Sequence, residues 1–213
     1  MKLSHVLVVC LAVSIGPAAL AQKWEFGGGG GGAFNMSNDV NRPTESAKAK
    51  IQPGFSAGAW LENNSNKRWG GEIRYAYQNG EMQLTQGSAK AKFSGESHAM
   101  HYDFQWHASD VDSPVRAYVA FGGGIKLYRG TGEEQLVQPL SRFALLTKTQ
   151  QVMGMASVGA GVKMKIGANW QLRVDVHDYL SPYPKEVITP NLGSEIKGWV
   201  NNIVPMIGIS WTK

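Results

Sequence analysis

Cysteine is nearly absent. The 213 residues hold one, Cys10, inside an N-terminal apolar run. That excludes a disulfide framework and a thiolate metal site in whatever remains after such a run is removed. Long hydrophobic runs are missing as well. The N-terminal one, residues 6–15, falls short of the roughly 20 apolar residues of a membrane-spanning helix, and no later stretch approaches it. Charge is sparse, at 17% Asp, Glu, Lys and Arg with a formal net charge of +5. The basic residues are spread along the chain among acidic neighbours, so nucleic acid is not an expected partner.

What the chain does have begins with a secretory signal. Lys2 supplies the positive start, residues 6–15 the apolar core, and Ala19-Leu20-Ala21 a small-x-small cleavage site before Gln22. Val9 precedes Cys10 where a lipid-modified signal carries a small residue. The expected organisation is a signal peptide over residues 1–21 and one domain over residues 22–213.

That domain reads as eight β-strands of period two. In residues 97–107, His98, Met100, Tyr102, Phe104 and Trp106 alternate with Ala99, His101, Asp103, Gln105 and His107. Large apolar groups on one face and ionisable groups on the other suit a strand between lipid outside and a polar lumen inside. The same alternation runs through residues 23–35, 51–61, 68–79, 115–128, 151–166 and 199–211, and through a strand starting at Trp170. Trp24, Phe26, Phe34, Phe55, Ile73, Tyr75, Val119, Phe121, Val174 and Ile207 are expected on the outer face. Trp60 breaks the parity assigned to its strand, which suggests the lumen mouth or a bulge. The glycine run 27–32 precedes no helical pattern, so it points to close strand approach and not to a dinucleotide site.

Connections alternate in length. Residues 36–50, 80–96, 129–150 and 181–198 are long and polar, whereas the three links between them are short, for example 108–114. An outer-membrane barrel with its N-terminus in the periplasm has long external loops and short periplasmic turns. The fold expected is therefore all-β, an eight-stranded antiparallel up-and-down transmembrane β-barrel in the outer membrane of a Gram-negative-type bacterium.

The chain resembles the OmpA-like/OmpX-like family of small outer-membrane β-barrels. The likeness rests on Trp24-Glu25-Phe26-Gly27-Gly28, on Trp69-Gly70-Gly71-Glu72-Ile73-Arg74-Tyr75-Ala76-Tyr77 and on Val158-Gly159-Ala160-Gly161-Val162-Lys163. It departs where family members often end on an aromatic read by the assembly machinery, because Trp211 is followed by Thr212 and Lys213. A further periplasmic domain such as longer relatives carry is not expected. The resemblance implies outer-membrane lipid, lipopolysaccharide and the assembly machinery as partners, a monomer, and no cofactor.

An eight-stranded barrel has an interior just wide enough for side chains to fill. Glu72, Arg74, His101, Asp103, Arg116, Lys126, Lys163, Arg173, Asp175 and His177 are expected to form an ionic network there, with His107 and Lys165 facing the same way. The function expected is non-enzymatic, in envelope integrity or surface interaction through four external loops. Two alternatives stay open. One is a narrow pore lined by an excess of Lys and Arg. The other is a lipid A-modifying enzyme, since His107-x-Ser109 resembles the base and nucleophile of the lipid A deacylases, although it falls at the periplasmic end. His101-x-Asp103 and Asp175-x-His177 could ligate zinc only if their strands met at one height, so no metal site is expected.

Overall fold

A computed structural model of the chain describes residues 23–134 and 137–213. The signal-peptide reading and Cys10 lie outside them. The described residues form β1 (Lys23–Asn35), β2 (Asn38–Asn41), β3 (Ser46–Ile51), β4 (Gly54–Asn64), β5 (Trp69–Gln86), β6 (Ala89–His107), β7 (Val115–Gly130), β8 (Ala144–Leu146), β9 (Gln150–Lys165), β10 (Trp170–Pro182), β11 (Ile188–Pro190), β12 (Glu195–Ile196) and β13 (Trp199–Thr212).

Eight of these close a ring in chain order, β1-β4-β5-β6-β7-β9-β10-β13, with every pair antiparallel. Closure joins first strand to last in the register Phe26↔Trp211 and Gly30↔Ile207. A closed ring leaves no unpaired strand edge along its wall, as a lipid-embedded sheet requires. The eight-stranded up-and-down barrel is therefore present as expected.

The outer wall carries the apolar half of the alternation. Phe26, Phe34, Phe55, Ile73, Tyr75, Val119, Phe121, Val174 and Ile207 are all exposed on it. Trp69↔Trp106 and Trp170↔Trp211 sit opposite one another at the short-turn end, beside Phe26↔Trp211. Together they make the aromatic girdle of one membrane interface. Trp60 does not join it, because its side chain is buried in the lumen. Ser56, Trp60, Glu62 and Asn64 share the inward parity of β4, so the strand has no bulge at Trp60.

The long-loop end departs from expectation. Residues 80–96 are not a loop, since β5 and β6 stay paired up to Gln86↔Ala89 and turn at Gly87 and Ser88. Ile51 belongs to β3, which takes over as the partner of β5 where β4 has not yet begun. β2 pairs with β3, and β12 with β2, so a five-stranded sheet rises above the ring.

In this upper storey the chemistry of the alternation inverts while its geometry continues. Even residues of β5 point inward throughout. They are Glu72, Arg74 and Gln78 lower down, then Met82 and Leu84 above. The inward Met82, Leu84, Ala91 and Phe93 pack with Val40, Ala47, Ala49, Tyr128, Phe143, Leu146, Val187, Ile188 and Ile196 in one apolar core, which β8 and β11 help to cover. Below, the wall faces lipid and the interior is polar. Above, the wall is polar and the interior apolar.

Candidate functional site

The barrel interior holds the chemically active side chains, and their positions follow from strand parity. Glu25 comes from β1, Trp60 and Glu62 from β4, Glu72 and Arg74 from β5, His101, Asp103 and His107 from β6, Arg116 and Tyr118 from β7, Lys163 from β9, and Arg173, Asp175 and His177 from β10. All are buried.

At the centre, Arg74 and Arg173 share the carboxylates of Glu72 and Asp175. Arg74 donates through Nε to Glu72 Oε1 at 2.7 Å and through its two terminal nitrogens to Asp175 Oδ1 and Oδ2 at 3.1 and 2.7 Å. Arg173 donates through Nε to Asp175 Oδ2 at 2.8 Å and through a terminal nitrogen to Glu72 Oε2. Gln105 Nε2 and the Tyr118 hydroxyl donate to the same two acids, at 2.8 and 2.9 Å. Two-pronged, charge-assisted bonds of this kind fix geometry as well as charge.

Both guanidiniums pack against the Trp60 ring, Arg74 Cζ at 5.1 Å and Arg173 Cζ at 4.8 Å from its centroid, and the indole N–H donates to Ser210 Oγ at 3.0 Å. Room for the ring comes from two glycines. A Cβ on Gly27 would fall 2.3 Å from Trp60 Nε1, and one on Gly208 2.5 Å from the far edge of the ring. The glycine run thus does permit close approach, and Trp60 lies against two of its inward neighbours.

Toward the short-turn end, Lys163 Nζ donates to Glu25 Oε2 at 2.9 Å and to Glu62 Oε2. Neither glutamate was in the network expected from sequence. Both obey a readable signal, since Glu25 alternates with Trp24 and Phe26, and Glu62 lies two residues beyond Trp60. Arg116 stands apart from the central group, donating to Asn64 Oδ1 at 2.9 Å and to the Lys67 carbonyl at 3.4 Å. Lys165 corrects an expectation. It is exposed at the strand end, where Nζ donates to the Asp112 carbonyl at 2.6 Å.

Toward the long-loop end, His101 and His177 do meet. His101 Nδ1 lies 3.0 Å from Asp103 Oδ1, and His177 Nε2 3.4 Å from Asp103 Oδ2. Their strands are therefore at one height. The fourth member of a zinc set is already committed, because Arg74 holds both Asp175 oxygens and lies 3.1 Å from His177 Nδ1. Lys126, also fully buried, forms no ion pair among the described residues. It donates to Gln78 Oε1 at 3.0 Å and Asn202 Oδ1 at 2.6 Å and sits over the Tyr128 and Tyr179 rings.

Charge balances in the lumen. Glu25, Glu62, Glu72, Asp103 and Asp175 face Arg74, Arg116, Lys126, Lys163 and Arg173, five against five among the described buried residues. The excess of Lys and Arg that sequence suggested disappears once Glu25 and Glu62 are counted and the exposed Lys165 is left out. His107 and Ser109 do not form a catalytic pair either. The histidine is buried against Glu62 at 3.6 Å, while the serine hydroxyl donates to the Val115 carbonyl at 3.0 Å in the short turn.

A family model described as "Outer membrane protein beta-barrel domain" matches residues 6–183. The chain belongs to that family. Among solved structures, this outer-membrane barrel is similar to OprG of Pseudomonas aeruginosa. The identity is 14% and the TM-score 0.62, over 91% of this chain and 96% of that one. Ail of Yersinia pestis, solved with the heparin analogue sucrose octasulfate, matches at 10% identity and TM-score 0.50 over 91% and 100%. Neisserial surface protein A matches at 13% identity and TM-score 0.50 over 90% and 97%. Identities this low establish the fold alone. No curated protein sequence matches the chain.

Proposed function

We propose that this outer-membrane barrel is a non-enzymatic, non-conducting protein that supports envelope integrity or surface interaction through the four external connections at its long-loop end, one of them the β5–β6 hairpin. The observation that carries this reading is the lumen. Ten charged side chains of balanced sign are buried within it and bonded to one another or to neighbouring polar groups, unlike the rings of one-signed charge that line a charge-selective pore. The apolar core of the upper storey adds a second barrier above them. The closed ring favours a monomer in contact with outer-membrane lipid and lipopolysaccharide, delivered by the assembly machinery.

Planar bilayers test the first half and lipid A mass spectra the second. Refolded protein should give no steady single-channel current, and overexpression should leave lipid A masses unchanged. A reproducible conductance would favour a narrow pore. A new lipid A species would favour an enzyme.

A further inference from the structure

The outer face of the upper storey carries a lysine lattice that sequence order conceals. Lys48 and Lys50 lie on β3, Lys90 and Lys92 on β6, and the upper part of β5 runs between them. The register makes two rows, Lys48↔Thr85↔Lys90 and Lys50↔Gln83↔Lys92. Directly paired residues point to the same face, neighbouring strands are about 4.8 Å apart and alternate residues about 7 Å apart, so the four ammonium groups stem from a patch of roughly 10 by 7 Å. The opposite face of these strands holds Ala47, Ala49, Met82, Leu84, Ala91 and Phe93 in the apolar core. The lysines therefore take no part in packing the interior.

Their charge is only partly answered. Lys92 pairs with Glu81 at 2.9 Å, and Asp39 lies opposite Lys48 in the register. Among the described residues Lys50 and Lys90 form no ion pair, and Glu133 lines the same surface cavity as Lys90 and Lys92, which leaves four cations against three anions on this face. Like charges set this close repel one another in isolation, and an anionic ligand would remove that cost.

Height decides which ligand. With a rise of about 3.3 Å per residue and a tilt near 40°, a barrel strand climbs about 2.5 Å per residue along the membrane normal. Lys92 and Lys90 are 14 and 16 residues along β6 from the girdle residue Trp106, hence about 35 and 40 Å above it. The apolar band of such barrels is about 25 Å tall, so the lattice stands about 10 to 15 Å beyond it, at the level of lipid headgroups.

We propose that Lys48, Lys50, Lys90 and Lys92 form a docking site for the phosphate groups of an outer-leaflet glycolipid. Several phosphates on one headgroup match several fixed ammonium groups, and the lysines would take the place of the divalent cations that otherwise bridge such phosphates. The inference deepens the proposed contact with lipopolysaccharide by naming its site, and rests on the outward placement of the long-loop end, which surface labelling tests separately.

The test compares wild type with the quadruple variant K48Q/K50Q/K90Q/K92Q, each refolded into phosphatidylcholine nanodiscs with and without added lipopolysaccharide. Retained heat-modifiable gel migration confirms that the variant folds. Microscale thermophoresis measures binding of lipopolysaccharide, of the same material after phosphatase treatment, and of soluble heparin. Each lysine near an anionic surface contributes about 1 kcal/mol, about fivefold in affinity. The quadruple variant should thus bind lipopolysaccharide at least tenfold more weakly, and dephosphorylated lipopolysaccharide should bind both proteins alike. Equal binding by variant and wild type would overturn the proposal. So would lysine-dependent binding of heparin without lysine-dependent binding of lipopolysaccharide, which would assign the patch to a soluble polyanion.

Discussion

Arg74 grips both carboxylate oxygens of Asp175, at 3.1 and 2.7 Å, across 101 residues of sequence and the full width of the barrel interior. The same arginine holds Glu72 from its own strand. One guanidinium thereby ties β5 to β10, which are not neighbours in the ring. Buried ion pairs often add little net stability over apolar packing, yet removing one member leaves an uncompensated charge. The predictions below use that asymmetry.

Two buried lysines should behave differently. Lys163→Met takes the close cation from Glu25 and Glu62, leaves them only the longer contacts to Arg173 at 3.8 and 3.5 Å, and should cost about 3 to 5 kcal/mol. Lys126→Met strands only the amide oxygens of Gln78 and Asn202 and should cost about 1 to 3 kcal/mol. Urea unfolding in lipid vesicles reads both, and the reverse order would mean that the Lys163 carboxylates are not its counter-ions.

Gly27 and Trp60 should be coupled. Gly27→Ala drives a Cβ to within 2.3 Å of the indole, an overpacking worth about 1 to 3 kcal/mol. In a Trp60→Ala background the same substitution should cost much less, since the ring atoms are gone and only the Ser210 hydroxyl, at 2.6 Å, has to turn aside. A double-mutant cycle measures the coupling. Additive losses would place the strain in the backbone instead of at the ring.

Face assignment predicts the effect of charge on the wall. Val174 is exposed on the outer surface, four residues from the girdle residue Trp170. Val174→Arg should therefore cost about 2 to 4 kcal/mol near the lipid midplane. Heat-modifiable migration of the refolded variant reports it, with Val174→Leu as a control expected to be near neutral.

Orientation is tested by cysteine labelling, helped by the lack of any native cysteine beyond Cys10. Ser88 lies in the turn between β5 and β6, Asp110 in the short link after β6. An impermeant maleimide on intact cells should label Ser88→Cys and spare Asp110→Cys. Labelling of Asp110→Cys alone would invert the barrel.

Most of the ring was legible because lipid imposes a strict period of two with one apolar face, and residues 97–107 show it without a break. The upper storey was not. Residues 80–96 keep the parity of β5 and β6, but above the lipid the apolar residues turn inward and the lysines outward, so a search for a lipid-facing stripe passes over them. The lysine lattice stayed hidden for a related reason. Lys48 and Lys50 meet Lys90 and Lys92 only through strand pairing, which a linear reading cannot supply. In the lumen, Glu62 falls one residue beyond the strand 51–61 that the sequence predicts, although β4 runs to Asn64. Trp60 then looked like an exception to parity when it was following the inward face.

The central claim is that the lumen is a dry, charge-balanced ionic core. Urea unfolding of Glu72→Gln in lipid vesicles tests it most directly, because Glu72 accepts from Arg74, Arg173 and Gln105 and its side chain is fully buried. In a dry core the substitution leaves guanidinium charge uncompensated and should cost about 3 to 5 kcal/mol. In a hydrated channel, screening would reduce the loss to about 0 to 1 kcal/mol, and a loss that small, accompanied by steady single-channel conductance, would contradict the closed lumen.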